Sequence, residues 1–176
     1  MSRADYIIGI DPDTVKSGVA LLETSTFHLE LRTLSFPELI DYIIYLRDRN
    51  RFDGKTLQVV VEAGWLHQKS NFHGYAGHRA EKIAKNVGAN HETGKKIIEC
   101  CRHWGIDCSE VPPLALQVGG FHLWSGPDGK ITHAELVAVT GLKASRTNQE
   151  ERDAALLAWN RAGLPLSINR TKTKGI

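Results

Sequence analysis

The chain is poor in cysteine, in long apolar runs and in net charge, and each shortage excludes a class of protein. Its three cysteines, Cys100, Cys101 and Cys108, are odd in number, and the adjacent pair suits neither a disulfide framework nor a CxxC metal knuckle. They read as reduced, structural thiols. Nowhere do 18 apolar residues follow one another, so no transmembrane helix and no membrane partner are expected. Only a short apolar run separates Met1–Asp5 from Asp11, which is no signal-peptide core, and a cytoplasmic location is expected. The balance of 22 Lys+Arg against 20 Asp+Glu leaves +2, too little to argue for a nucleic-acid partner by itself. The distribution is less even. From Lys143 onward seven basic residues (Lys143, Arg146, Arg152, Arg161, Arg170, Lys172, Lys174) face three acidic ones. That end is either a solvated helix face with a tail or a surface that touches phosphates.

What is present is ordinary globular composition, 41% apolar and 24% charged over 176 residues. A chain of that size buries about 70% of its extended surface and needs neither disulfides nor a structural metal to fold. One domain over residues 1–165 is expected, with 166–176 a disordered basic tail.

Tyr6–Ile10 is a short β-branched run broken by Asp11-Pro12-Asp13, hence a buried strand that delivers Asp11 at its end. Ser17–Glu23 and Phe27–Leu34 follow as an antiparallel meander, the second with period-two alternation. Ser35 or Phe36 caps a helix with Pro37 in its first turn that ends near Asn50. Leu57–Val61 is the next buried strand and delivers Glu62 as the first delivers Asp11. Residues 64–78 lack any period and read as a mobile loop. From Arg79 to Trp104, Ala80, Ile83, Ala84, Val87, His91, Ile98 and Cys101 keep helical spacing, with Gly88 and Gly94 as weak points or places of close approach. Gly105 ends that helix before a fifth strand over Ile106–Val111. Residues 119–129 read as loop, with Trp124 as turn material. Thr132 and Glu135 make a capping box for a short helix ended by Gly141, and Asn148 caps a last helix to about Ala162. The order implies an α/β fold with a mixed five-stranded sheet flanked by helices.

The acids sort themselves on this frame. Asp11 and Glu62 end two strands that can be neighbours, and Glu150 and Asp153 lie three apart on one face of the last helix. Taken singly, each has an ordinary structural explanation, as a turn residue or a first-turn acid. If the helix crosses the strand ends, four carboxylates converge, and such a cluster repels itself unless a cation neutralises it. All-oxygen ligation selects Mg2+ or Mn2+ over zinc. Two cations about 4 Å apart can activate a water and stabilise a leaving 3′ oxygen in an in-line attack on a phosphodiester. His67, His73 and His78 match no zinc spacing, and His103, Trp104 and His133 read as structural.

At this combination the chain resembles a known family. Ile7-Ile8-Gly9-Ile10-Asp11-Pro12-Asp13, then Ser17-Gly18-Val19-Ala20, Val59-Val60-Val61-Glu62 and Glu150-Glu151-Arg152-Asp153-Ala154-Ala155-Leu156-Leu157-Ala158 look like the RuvC-type Holliday junction resolvases of the RNase H-like superfamily. The resemblance covers about residues 6–162. It implies an RNase H-like fold, Asp11, Glu62, Glu150 and Asp153 as catalytic and metal-binding acids, Mg2+ or Mn2+ as two bound ions, and cleavage of branched DNA. A homodimer follows from the need for two symmetric cuts. The chain departs from the family at Asp13, where Gly is usual, at Glu150, where Asp is usual, and at Gln117, where a lysine is frequent. Adjacent Glu151 leaves the fourth acid open. Trp65 is the candidate for the family's DNA-contacting aromatic, and Lys69, Lys143, Arg146 and Arg152 for phosphate contacts. Lys82, Lys85, Lys95 and Lys96 read as solvated surface, with phosphate contacts as the alternative. Three rivals remain: an RNase H-like nuclease acting on a flap or an RNA–DNA hybrid, a module that holds branched nucleic acid without cutting it, and an actin-like ATPase. The last needs a second lobe and phosphate loop that 176 residues do not provide, so no nucleotide cofactor is expected.

Overall fold

The computed structural model describes residues 3–66, 78–114, 117–118 and 121–166. Five strands form one sheet: β1 (Tyr6–Asp11), β2 (Ser17–Glu23), β3 (His28–Leu34), β4 (Leu57–Glu62) and β5 (Asp107–Val111), in the order β3-β2-β1-β4-β5. β1 to β3 are the antiparallel meander, while β4 pairs parallel to both β1 and β5. The helices are α1 (Phe36–Phe52), α2 (His78–His103), α3 (His133–Thr140) and α4 (Gln149–Arg161).

Alternation along the strands divides the core in two. Ile8, Ile10, Val19, Leu21, Val59 and Val61 face α1 and the C-terminal half of α2, where they meet Leu39, Ile43, Leu46, Ile97, Ile98 and Cys101. Ile7, Ala20, Leu22 and Val60 face α4, where they meet Ala154, Ala155, Ala158 and Trp159. Continuing that period of two puts Asp11 and Glu62 on the α4 side of the sheet. Parallel pairing of β1 with β4, in register Ile10 to Val61, then sets the two acids side by side.

The helix caps form as the sequence implies. Ser35 and Glu38 close a capping box on α1, Thr132 and Glu135 on α3, and Asn148 and Glu151 on α4. Gly105 and Gly141 follow α2 and α3 in the left-handed region, φ +64° and +71°, where a Cβ would be strained.

Four expectations change. The loop over 119–129 contains part of a hairpin, β6 (Gln117–Val118) with β7 (Phe121–His122), whose two-residue strands are too short for periodicity to reveal. Trp124, expected as turn material, is 5% exposed and belongs to the core beneath α4. The apolar stripe of α2 holds only in its C-terminal half. Ala84 and Val87 are exposed because the N-terminal turns run beyond the sheet, whereas Ile97, which the stripe omits, is fully buried. The expected loop over 64–78 opens with a helical turn, Gly64–Leu66, and His78 already belongs to α2. Residues 67–77, and the tail from 167, lie outside the described residues.

Candidate functional site

Glycine and alanine bring α4 onto the strands that carry the acids. A Cβ on Gly9 would stand 2.2 Å from the Ala154 carbonyl oxygen, and one on Gly18 would stand 2.1 Å from that of Glu150. Any side chain at either position would lift the helix off the sheet. With none, α4 rides directly on β1 and β2, and its first two turns reach the ends of the strands. Glu150 and Asp153 thereby come within electrostatic range of Asp11, as does Glu62 from β4.

The cluster is costly to ionise. Burial first, then the negative charges of Glu62, Asp153 and Glu150, push the Asp11 carboxyl up to about 8, against the pull of Lys130. Burial and Asp153 likewise raise Glu62 to about 7, with Lys130 again opposing. Both carboxyls open onto a cleft and are crowded by protein on their other sides. No described residue donates a hydrogen bond to either of them.

Lys130 is the one functional candidate of this cluster that the sequence did not single out. Its ammonium donates to Asp153 Oδ2 at 2.8 Å, and the Gln149 side-chain amide holds the other oxygen at 2.7 Å. Burial works against the lysine's charge. The Asp153 hydrogen bond and the charges of Asp153, Asp11 and Glu62 outweigh that and hold it above its ordinary value. Its loop is stapled by Glu135, which accepts from the Ser125 and Thr132 backbone amides and from the Thr132 hydroxyl. The capping-box reading found Glu135, but only as a helix start. That the same carboxylate also ties down Ser125, and so presents Lys130, depends on a turn with no periodic signal.

Among the described residues no group of three or more His, Cys, Asp or Glu side chains is drawn together tightly enough to hold an ion as it stands. The donor chemistry nonetheless fits a hard cation: the crowded oxygens of Asp11 and Glu62 receive no hydrogen bond from a described residue, and the compensating charge comes from a lysine that is half exposed and paired with Asp153.

The two acids at the start of α4 separate cleanly. Glu151 is engaged in the fold, its Oε2 accepting from the Asn148 backbone amide at 3.0 Å and its Oε1 from the Thr33 hydroxyl at 3.0 Å. Glu150 makes neither bond and acts on Asp11 through space.

The basic and aromatic candidates fare differently. Arg152 turns inward, its guanidinium donating to the carbonyls of Ile131 and Thr147 and to the Gln149 side chain. It ties the Lys130 loop to α4, which leaves little of it for a phosphate. Lys143 and Arg146 are exposed and line a groove with β3 that contains none of Asp11, Glu62, Glu150 and Asp153. Trp65 is half-buried. It packs on Gly94 of α2, and its Nε1–H donates to Glu110 at 3.2 Å. Lys69, His67 and His73 lie outside the described residues. Lys95 and Lys96 pair with Glu92 and Glu99 on the helix surface. His103 stacks edge-on to Trp104, and His133 Nδ1 lies 3.1 Å from the Thr147 hydroxyl, both structural contacts. The three cysteines are free thiols. Among the described residues no helix is long and apolar enough to cross a membrane.

No protein-family model matches the chain, and no curated protein sequence does. Solved structures do match. The chain superposes on T. thermophilus RuvC in complex with a Holliday junction substrate with a TM-score of 0.52 at 16% identity, over 90% of this chain and 96% of that one. A second structure of Thermus thermophilus RuvC matches with a TM-score of 0.42 at 17% identity, over 90% of this chain and 97% of that one. The chain therefore has the RuvC-type, RNase H-like α/β fold that its motifs imply.

Proposed function

We propose that this chain is a divalent-metal-dependent endonuclease that cleaves phosphodiester bonds in branched DNA, acting as a homodimer. The observation that carries the reading is the convergence of Glu62, Asp153 and Glu150 on a buried Asp11; burial first, and their charges after it, push that carboxyl up to about 8. A fold that merely needed stability gains nothing from such crowding, whereas a site that takes up cations requires it. Asp11, Glu62, Glu150 and Asp153 would together hold a pair of Mg2+ or Mn2+ ions, with Asp11, which feels the charge of the other three, as the ligand the ions would share. Bound there, the ions supply Lewis acidity at the scissile phosphate and a water nucleophile at neutral pH.

The chain's own residues do the remainder. Lys130 screens the acids before loading and is placed to hold a phosphate oxygen beside Asp153. Gln149 fixes the Asp153 carboxylate by its other oxygen, so that the group presents one orientation. Branched DNA as the substrate is supported by the likeness to a RuvC seen with a Holliday junction. Two symmetric cuts across a junction call for two sites, hence for two copies of the chain.

The alternative, a module that binds branched nucleic acid without cutting, has one observation in its favour: the lysine already neutralises part of the cluster. One assay separates the two. A four-way junction, a flap and a linear duplex are each incubated with the protein and Mg2+ or Mn2+. Cutting of the junction that is lost in Asp11→Asn and Glu62→Gln is expected. Cutting unchanged in those variants refutes the site, and binding without cutting favours the module.

A further inference from the structure

We propose that His91 is a further substrate contact, hydrogen-bonding the sugar–phosphate backbone of the cleaved strand from the side of the cleft opposite Lys130; this rests on the reading of the cleft as a DNA site. Two cavities flank the acids. One, of about 250 Å3, is lined by Glu62, Asp153 and Lys130. The other, of about 160 Å3, lies between the strand ends and α2 and is lined by Asp11, Glu62, Trp65, Asn90 and His91. Both are smaller than the roughly 300 Å3 at which sites for whole ligands begin, so each has room for a piece of a chain that passes over the acids.

The imidazole in the second cavity is held in place, and no described residue hydrogen-bonds to it. Its Nε2 lies so close to Gly64 that a Cβ there would stand 2.8 Å away. Its ring meets Trp65 edge-on, with centroids 5.7 Å apart and planes at 73°. Trp65 is itself fixed, by Glu110 at its nitrogen and by Gly94 at its six-membered ring. One residue earlier, Asn90 fastens the same turn of α2 to the loop after Asp11. Its Oδ1 accepts from the Thr14 amide at 3.1 Å, and its Nδ2 donates to Asp13 at 3.3 Å. Thus the segment 90–94 of α2 is wedged between the loop that follows Asp11, met by Asn90 and Gly94, and the loop that follows Glu62, met by His91 and Gly94.

A half-buried imidazole that meets no protein partner keeps a ring nitrogen free for water or for a ligand. No described residue hydrogen-bonds to the His91 ring. A neutral imidazole carries one N–H donor whatever its tautomer, so a phosphate or sugar oxygen can be held without any change of protonation. On this view Trp65, instead of reaching out to DNA, buttresses the residue that does.

The test compares His91→Ala and His91→Gln. Junction binding is measured by fluorescence anisotropy in an Asp11→Asn background, and cutting with Mg2+ in the native one. The expected result is a loss of about tenfold or more in junction affinity for the alanine variant. The glutamine variant, which keeps an N–H donor, should recover most of it, and both should melt at the native temperature. In protein labelled with 15N-histidine, one imidazole resonance, missing from His91→Ala, should move when the junction is added. Native affinity in His91→Ala, an unmoved resonance, or affinity lost together with the melting temperature overturns the proposal. Should the native chain bind the junction but cut nothing, the nuclease reading fails, and the resonance still decides whether His91 touches the strand.

Discussion

Replacing Asp11 by asparagine should stabilise the metal-free protein, and by more as the pH rises. The folded carboxyl titrates at about 8 against an ordinary 3.8, because burial and three neighbouring carboxylates oppose its charge. Between those two values the folded chain keeps a proton that the unfolded chain has released. Stability from this group is therefore complete below about pH 3.8 and is lost as the pH climbs to about 8. The slope is about 1.4 kcal/mol per pH unit, and over the whole interval the loss reaches at most about 6 kcal/mol, less where water enters the cleft. Set against the ~5–15 kcal/mol by which a domain is usually stable, that decides whether the metal-free chain stays folded in alkaline buffer. Asparagine has no such titration. Comparing variant with wild type cancels the exposed acids Asp5 and Glu38, held below the ordinary range by hydrogen bonds from Thr56 and Ser35. Urea unfolding in EDTA at intervals from pH 4 to 8.5 is the assay. The two curves should coincide near pH 4 and part steadily above it, with Asp11→Asn the more stable, and Mg2+ should close the gap at pH 8 by stabilising only the wild type. Parallel curves across that range would show that Asp11 ionises without hindrance, and the argument for a cation would go with it.

Other substitutions probe the parts separately. Gly18→Ala should destabilise the chain by about 1–3 kcal/mol in urea and abolish junction cutting, since its methyl would overlap the Glu150 carbonyl and lift α4; retained cutting would show that α4 does not need its seat on β2. Glu151→Ala should cost about 1 kcal/mol of stability through the lost cap and leave Mn2+ uptake by calorimetry intact, whereas Glu150→Ala should weaken uptake and leave stability unharmed. Arg152→Met should lower the melting temperature by several degrees with little change in the salt dependence of DNA binding, because its donors serve the fold; a salt slope reduced by about one would return it to the phosphate contacts.

What was legible in the sequence follows from what local pattern can encode. Tyr6–Ile10 and Val59–Val61 are β-branched runs with an acid directly after each, and a strand's period of two fixes the face its last residue takes. The pairing of Asp11 with Glu62 could therefore be read before any coordinates. The Ala154-Ala155 stretch carried part of the family resemblance, but that it lets the helix seat on Gly9 and Gly18 shows only when the strands are beneath it. Which of Glu150 and Glu151 faces the cleft was open because both are first-turn acids. The choice is made by Thr33, 118 residues away in sequence, which claims Glu151. Trp124, buried in the structure, is surrounded in the sequence by turn residues and carries no period that would place it.

Lys130 and His91 escaped for a deeper reason than weak signal. Each belongs to an element whose local pattern is complete without it: the lysine sits in a turn between a core tryptophan and a capping box, the histidine in an amphipathic stripe. Their meaning comes from what they face, and both face acids delivered by strands. One side of the acid pair is walled by a cation that hydrogen bonding and the neighbouring carboxylates hold charged against its burial, the other by an imidazole to which no described residue hydrogen-bonds. The strand ends supply crowded negative charge, α4 supplies more of it, and the connecting loop and α2 supply the groups that can hold an anionic chain over it. A cleft so arranged repels a polyanion at its centre and attracts it at its margins, so productive docking and cation uptake must reinforce each other. Junction affinity should therefore rise with Mn2+ concentration in the wild type, while Glu62→Gln, which relieves the central repulsion, should bind the junction with little dependence on the metal. Equal metal dependence in both would mean that the acids and the DNA do not share the cleft.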